Sequence, residues 1–385
     1  MGRGRGRGVA ALSEPLAQMR ALLREADALE PGETQTALVE EAVRLADTYG
    51  TIREQLETRE ELIHAGTFGG AYDKALVAYS WCLAQYDRHP HASSLVDTYK
   101  LLWRYKWIMA NIAGFPQVTR AQLDEMLADM ERRYRAAGYG LRPVWSARYR
   151  VAKVCGDREL AFEAYNTMRA MSRDLLSDCA ACDLDEQVTF HIWSGKHAQA
   201  LSLAERLLSG GLRCATVPQR TYARVLWPLF RLGRYDDAAY YHLKGYRLIT
   251  GSRDWVDEYA DHMLFLALTD NLDRAVALFA RHLRFALKAV NQKDKFLFLR
   301  AAWFLCARLA AKGRATLKLR LPRAFPAYER TGLYETARLA AWLEAETRAI
   351  AARFDERDGN DYYTQLVAEV ATFDALVTPY PLDEH

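Results

Sequence analysis

The chain has 385 residues, of which 50% are hydrophobic and 26% charged, with a formal net charge of +3. So small a net charge at this length argues against a general nucleic-acid binder and makes nucleic acid an unexpected partner, although local basic patches remain compatible with it. No apolar run is long enough to span a bilayer and the first residues lack the apolar core of a secretory signal, which points to the cytoplasm; six cysteines without a dense spacing fit its reducing chemistry.

The opening MGRGRGRG alternates Arg3, Arg5 and Arg7 with glycine, and residues 1–12 are flexible by composition. From Leu12 onward helical periodicity dominates and no stretch alternates for long enough to make a sheet, so the chain reads as all-α. Ser13 to Leu29 forms a helix that caps the amino-terminal end. A fixed signal then recurs, a small turn residue followed five positions later by alanine. It occurs at Gly32/Ala37, Gly70/Ala75, Gly156/Ala161, Gly195/Ala200 and Gly233/Ala238, and with Asp270 in place of glycine before Ala275. The alanines lie 38, 39, 38 and 37 residues apart where units are adjacent, and the 86-residue gap from Ala75 to Ala161 leaves room for a longer unit around Gly114 and Thr119. That makes about seven units. Glycine lets one helix end in the left-handed conformation, and alanine one turn into the next lets the two helices approach closely. The clearest copy is Arg220 to Ile249, with Tyr222, Val225, Leu226 and Leu229 on one apolar face before Gly233.

Trp145, Gly156, Ala161 and Tyr165 in one unit, and Ala275 with Phe279 in another, resemble the tetratricopeptide repeat family over roughly Pro31 to Leu287. LRLPRAFP (Leu319 to Pro326) and RFDERDGNDYY (Arg353 to Tyr363) are similar to strings in a little-characterised group of bacterial tetratricopeptide proteins, a likeness that implies no reaction. The resemblance implies a right-handed superhelical solenoid of antiparallel helix pairs over 13–290, with a helical carboxy-terminal cap over 291–385. In that cap Asp294 to Lys312 is a long helix without an evident partner, Leu317 to Tyr334 is a loop containing proline, and Glu335 to Arg353 is amphipathic. Asp355, Asp358, Asn360 and Asp361 do not have EF-hand spacing and read as helix-end residues.

Two cysteines stand as C-x-x-C in SDCAACDL, and in the repeat frame Cys179 and Cys182 fall in the turn that joins one unit to the next. Cys214 falls in the equivalent turn 35 residues later. Successive turns of this kind lie about 10 Å apart on one edge of a repeat array, so the three sulfurs can converge. Three readings follow: a structural zinc, turn cysteines without a ligand, or a redox pair, which would call for a thioredoxin-like βαβ setting that the sequence lacks. The resemblance implies a histidine five positions after the third cysteine; Gln219 stands there, leaving Asp178 or Asp183 as substitute ligands. Cys155 lies at the opposite turn, out of reach. No cofactor beyond the candidate zinc is implied.

No phosphate loop, H-E-x-x-H, G-x-S-x-G or kinase string occurs, so nothing marks an enzyme. His191 and His242 fall at core or seam positions, and Trp103 and Trp107 read as inter-helix packing. First helices of tetratricopeptide units line a concave face, and the repeat frame points Arg104, Asn111, Arg150, Lys153, Arg220, Arg224, Trp227 and Arg231 inward. These are either ordinary solvated charge or cationic patches that grip an acidic peptide or a terminal carboxylate; Asp257 and Asp261 stand at similar positions in the next unit. The sequence therefore reads as a non-catalytic scaffold or adaptor that binds a protein or peptide partner. The alternatives are a metal- or redox-responsive sensor built on the cysteines, and a peptide-responsive regulator whose DNA contact comes from a separate partner.

Overall fold

The computed structural model describes residues 6–88 and 97–382, with side chains from residue 14 onward. The amino-terminal half consists of α1 (Gly6–Asp27), α2 (Glu33–Tyr49), α3 (Ile52–Phe68), α4 (Tyr72–Arg88), α5 (Thr98–Asn111), α6 (Arg120–Ala136), α7 (Arg142–Val154) and α8 (Arg158–Ala170). The next part holds α9 (Ala180–Trp193), α10 (His197–Leu208), α11 (Gln219–Arg224), α12 (Leu226–Arg231) and α13 (Tyr235–Ile249). It is followed by α14 (Val256–Leu268), α15 (Leu272–Lys288) and α16 (Gln292–Ala311). A ribbon of β1 (Thr316–Lys318) and β2 (Leu333–Glu335) then leads into α17 (Thr336–Asp358), α18 (Tyr362–Ala368) and α19 (Val370–Leu376). Residues 1–5 of the Gly/Arg tail lie outside the described residues, and the rest of the segment expected to be flexible enters the first turns of α1.

Consecutive helices pack as pairs, α1 on α2, α3 on α4, α7 on α8, α9 on α10, α14 on α15 and α16 on α17. The repeated turn residues have the conformation that selects them: φ is 70° at Gly70, 72° at Gly156, 78° at Gly195 and 70° at Gly233. Asp270, at 63°, is the one non-glycine residue with positive φ among the described residues, so the aspartate in place of glycine keeps the same left-handed turn. Ala75, Ala161, Ala200, Ala238 and Ala275 are all buried. The first unit departs from the pattern: Gly32 is extended, at φ 170°, and Ala37 is exposed. In the clearest copy the expected face is buried, but Pro228 interrupts the helix at Val225, because proline offers no N–H to the carbonyl four residues back.

The long helix α16 has partners on three sides, α14, α15 and α17. The chain is all-α apart from one short feature: the segment after α16, expected as a proline-containing loop, begins and ends in an antiparallel ribbon in which Leu317 faces Tyr334. The carboxy-terminal helices do more than cover the last pair; they reach back to the middle of the chain. Arg357 donates Nη1 to the carbonyl of Ala113 at 2.7 Å, Asn360 donates to Cys155 O at 2.7 Å, and Trp193 Nε1 donates to the Tyr362 hydroxyl at 3.2 Å. Asp355 accepts from the N–H groups of Tyr363 and Thr364, and Asp358 holds Arg357 at 2.8 Å, so these acids serve helix ends. A second long-range closure joins the amino-terminal units to α14–α15: Tyr72 OH donates to Asp254 at 2.6 Å, Arg253 donates to Gly69 O, and Lys288 meets Glu33 at 2.9 Å.

Candidate metal centre and the charged groove

The Sγ atoms of Cys179, Cys182 and Cys214 lie within 4.8 Å of one another, the one group of three or more Cys, His, Asp or Glu among the described residues with ligand atoms so placed. Cys179 is the N-cap of α9, and its sulfur accepts the Cys182 N–H at 3.4 Å. A sulfur at a helix start meets unpaired N–H groups and the positive end of the helix dipole, the setting that favours thiolate. Burial works against ionisation of Cys179, yet the N–H of Cys182 and the neighbouring thiols outweigh it and hold this thiol below its ordinary range. Cys182 is pushed the other way by burial and by the two sulfurs beside it. Cys214 sits in the loop between α10 and α11, closed by its N–H on Val217 O at 2.9 Å, and is exposed.

Neither aspartate proposed as the fourth ligand is free. Asp178 is held by Lys106 at 3.0 Å and Arg150 at 2.9 Å; burial opposes its charge, but these two cations bring it down to about 2. Asp183 is taken by Arg142 and by Gln187 at 3.1 Å. Gln219 keeps its Oε1 without a hydrogen-bond partner among the described residues. Cys155 is buried at the far turn and accepts from Arg357 at 3.4 Å, away from the three.

The residues assigned to the concave face divide into three groups. Arg150, Lys153, Arg220 and Arg224 belong to one cluster of charges shared with acids at or before α9 and α14. Arg104 pairs with Glu60 at 3.3 Å, and Asn111 donates back to Trp107 O at 3.1 Å. Trp227 packs beside Phe373 of α19, with the exposed Arg231 over its ring at 5.3 Å. The cations of the first group are paired with carboxylates. Arg150 binds Glu186 at 2.7 Å as well as Asp178; Arg220 meets Glu258 at 3.4 Å and Asp254 at 3.7 Å; Arg224 holds Asp185; Lys153 lies 3.9 Å from Glu186. Arg150 and Arg220 face carboxylates of the following unit, Glu186 of α9 and Glu258 of α14, while Arg224 faces Asp185 of the preceding α9, so the charges form a ladder of both signs. Arg150, Lys153, Arg220 and Arg224 retain 21%, 22%, 31% and 24% of their side-chain surface, so water reaches this interior.

The acidic half of the ladder was invisible to residue-by-residue reading, apart from Asp257 and Asp261. Asp257 lies 3.5 Å from Lys293, whereas Asp261 has neither a hydrogen bond nor an ion pair among the described residues. Burial pushes Asp254 and Asp261 up to about 7 and Asp294 to about 6, and pulls Lys153 down to about 8. Burial, followed by the adjacent Asp257, raises Glu258 well above the carboxylate range, and neither of its carboxylate oxygens has a hydrogen-bond partner among the described residues.

Outside the groove, His242, His262 and His282 are buried between α13, α14 and α15. His242 and His262 approach Nδ1 to Nδ1 at 3.0 Å, and Tyr246 OH lies 2.8 Å from His282 Nε2. His242 is thus a core residue, as its repeat position implied, while His191 is only half-buried. Trp107 packs edge-on against Phe68, and Trp103 lies beneath the Lys106 ammonium at 3.4 Å.

No protein-family model matches the chain, and no curated protein is significantly similar to it. None of the described helices is long and apolar enough to cross a membrane.

Proposed function

We propose that the chain is a non-catalytic binding scaffold of the tetratricopeptide type, working in a reducing compartment such as the cytoplasm, with one wall fixed by zinc on Cys179, Cys182 and Cys214. The convergence of the three sulfurs within 4.8 Å carries this reading. Two thiolates from the start of α9 and a third from the loop before α11 match the soft donors and tetrahedral spacing that zinc selects, and the bond from Cys182 N–H to Cys179 is the kind of outer contact that orients a ligand. Zinc there ties α9 to α11, the two helices that carry Asp185, Glu186, Arg220 and Arg224 into the groove. A protein segment bound in that groove meets paired charges of both signs, so acidity of the partner is not what selects it. The ion pairs would have to be broken to seat an acidic peptide.

The exposure of Cys214 favours a second reading of the same centre, a sensor. With both nearby aspartates engaged, the fourth position falls to solvent, and oxidants or chelators reach the metal directly.

Elemental analysis of untagged protein, beside a Cys182→Ser variant, tests the metal. The expected result is about one zinc per chain in the wild type and none in the variant, with chelation lowering the unfolding temperature of the wild type alone. Wild-type protein that holds no zinc even after reconstitution under reducing conditions refutes the proposal.

A further inference from the structure

The segment from Lys312 to Arg338 contains seven Lys and Arg and two Glu, whereas the remainder of the chain has 45 basic and 47 acidic residues. The whole-chain charge conceals this asymmetry. Lys312 and Arg314 anchor the start of the segment to Asp270 and Asp273 of α15's leading turn. The other five cations, Lys318, Arg320, Arg323, Arg330 and Arg338, are exposed and have no hydrogen bond or ion pair among the described residues.

These charges stand on an ordered support. Leu317, Leu319 and Leu321 are buried, while Thr316, Lys318 and Arg320 between them are exposed, so the strand and its continuation have one apolar face and one cationic face. The ladder pairs Lys318 with Leu333 and continues through Leu319 N–H to Gly332 O at 2.8 Å. Inside the connection, Phe325 N–H bonds Pro322 O at 2.9 Å and Tyr328 N–H bonds Phe325 O at 3.0 Å. Glu329 N–H donates to the Tyr334 hydroxyl at 3.2 Å, and Phe325 meets Trp342 edge-on at 4.7 Å. Five cations are therefore carried on one ordered support against only two acids, Glu329 and Glu335, neither of which forms an ion pair with them among the described residues, an excess that favours an incoming anion.

We propose that this ribbon binds single-stranded nucleic acid through its phosphates. Four of the five cations are arginine, whose planar fork takes a phosphate by two hydrogen bonds. Lys318 and Arg320 lie two residues apart on one face, about 6.8 Å by strand geometry, a spacing of the order of that between successive phosphates on a strand. Tyr328, 37% exposed, supplies a ring on which a base can stack. The strands are only three residues long, too short to fill the groove of a duplex. An anionic bilayer would call for more apolar surface than Leu333 and Tyr328 provide.

Fluorescence anisotropy of full-length protein with a labelled oligo-uridine of about twenty nucleotides tests the assignment across a potassium chloride series. Saturable binding is expected at low salt, with a log–log salt slope near −3, since about five contacts contribute roughly 0.7 each at most. A triple variant, Arg320→Ala, Arg323→Ala and Arg330→Ala, removes only exposed side chains; it should bind at least about tenfold more weakly with a slope shallower by about 2. A tail variant with Arg3, Arg5 and Arg7 changed to Ser should bind like the wild type. No binding at low salt, an unaltered triple variant, loss confined to the tail variant, a preference for duplex, or equal displacement by polyglutamate or phosphatidylserine vesicles would each overturn the proposal.

Discussion

Gly156→Ala measures how firmly the carboxy-terminal helices are locked into the body of the protein. Gly156 has φ 72°, and a Cβ added there would stand 2.4 Å from the Cβ and 2.5 Å from the Cγ of Tyr362. Gly195 is the natural control, with φ 78° and nothing within 4 Å of the added atom. Alanine at either site takes a left-handed backbone at about 1–2 kcal/mol. Only at Gly156 is there a second cost. Because the nearest atom is the Tyr362 Cβ, no rotamer change relieves the contact, and the backbone at the start of α18 must shift to make room, about 1–3 kcal/mol, loosening the bond with Trp193. Gly156→Ala is therefore expected to destabilise by about 2–5 kcal/mol and Gly195→Ala by about 1–2 kcal/mol, as measured by urea denaturation. In a Tyr362→Gly background, which removes the Cβ itself, the difference should collapse. Equal costs for the two glycines in the wild-type background would mean that Tyr362 does not pack on this turn, and the account of the carboxy-terminal helices would fail.

Asp261→Asn should stabilise the protein in a pH-dependent way. Burial raises its folded value to about 7 from an ordinary 3.8, so the wild type loses stability as pH rises between these values, and asparagine removes that loss. The gain should be absent near pH 3.5 and reach roughly 2 kcal/mol above pH 8, once access of water to the groove is taken into account; a pH-independent effect refutes the reasoning. The buried histidines act in the opposite direction. Burial depresses His242 and His282 to about 3 and His262 well below its ordinary value, so their contribution is complete above 6.5 and lost as pH falls toward 3. His262→Phe should reduce the acid slope of stability by about 1.4 kcal/mol per pH unit between pH 4 and 6, checked by denaturation at each pH. Lys106→Met removes a cation of α5, 4% exposed, that bonds Leu176 O and Asp178 in the turn before the cysteines, leaving Asp178 to Arg150 alone. It should cost about 2 kcal/mol and hasten zinc release to a chromophoric chelator.

The turn positions were legible because left-handed backbone strongly selects residue type, and Asp270 could be placed by phase alone. The convergence of the cysteines followed from the same phase. Gly32 and Ala37 misled for a related reason: an extended glycine carries no conformational demand, so a matching letter there is coincidence. Helix periodicity assigned Arg150, Arg220 and Arg224 a common inward face but is blind to what faces them. The partners Glu186, Glu258 and Asp185 sit one helix pair away, and their own periodicity is equally compatible with solvent. The ribbon escaped notice because its strands span three residues each, although Leu317, Leu319 and Leu321 alternate with Thr316, Lys318 and Arg320. The bond from Arg357 to Ala113 joins residues 244 apart, and no local pattern encodes such a contact.

Repeat arrays that contact only their neighbours can gain or lose a unit during evolution with little disturbance, because each added unit meets the same interface as the last. The bonds from Tyr72 to Asp254, from Arg253 to Gly69 and from Lys288 to Glu33 remove that freedom here. An extra pair of helices inserted between α4 and α14 would carry these groups out of register and sever all three at once. Unit number in this protein is thus a closed count, fixed by the meeting of distant ends, and duplication of a single unit should behave as a folding defect rather than as neutral lengthening.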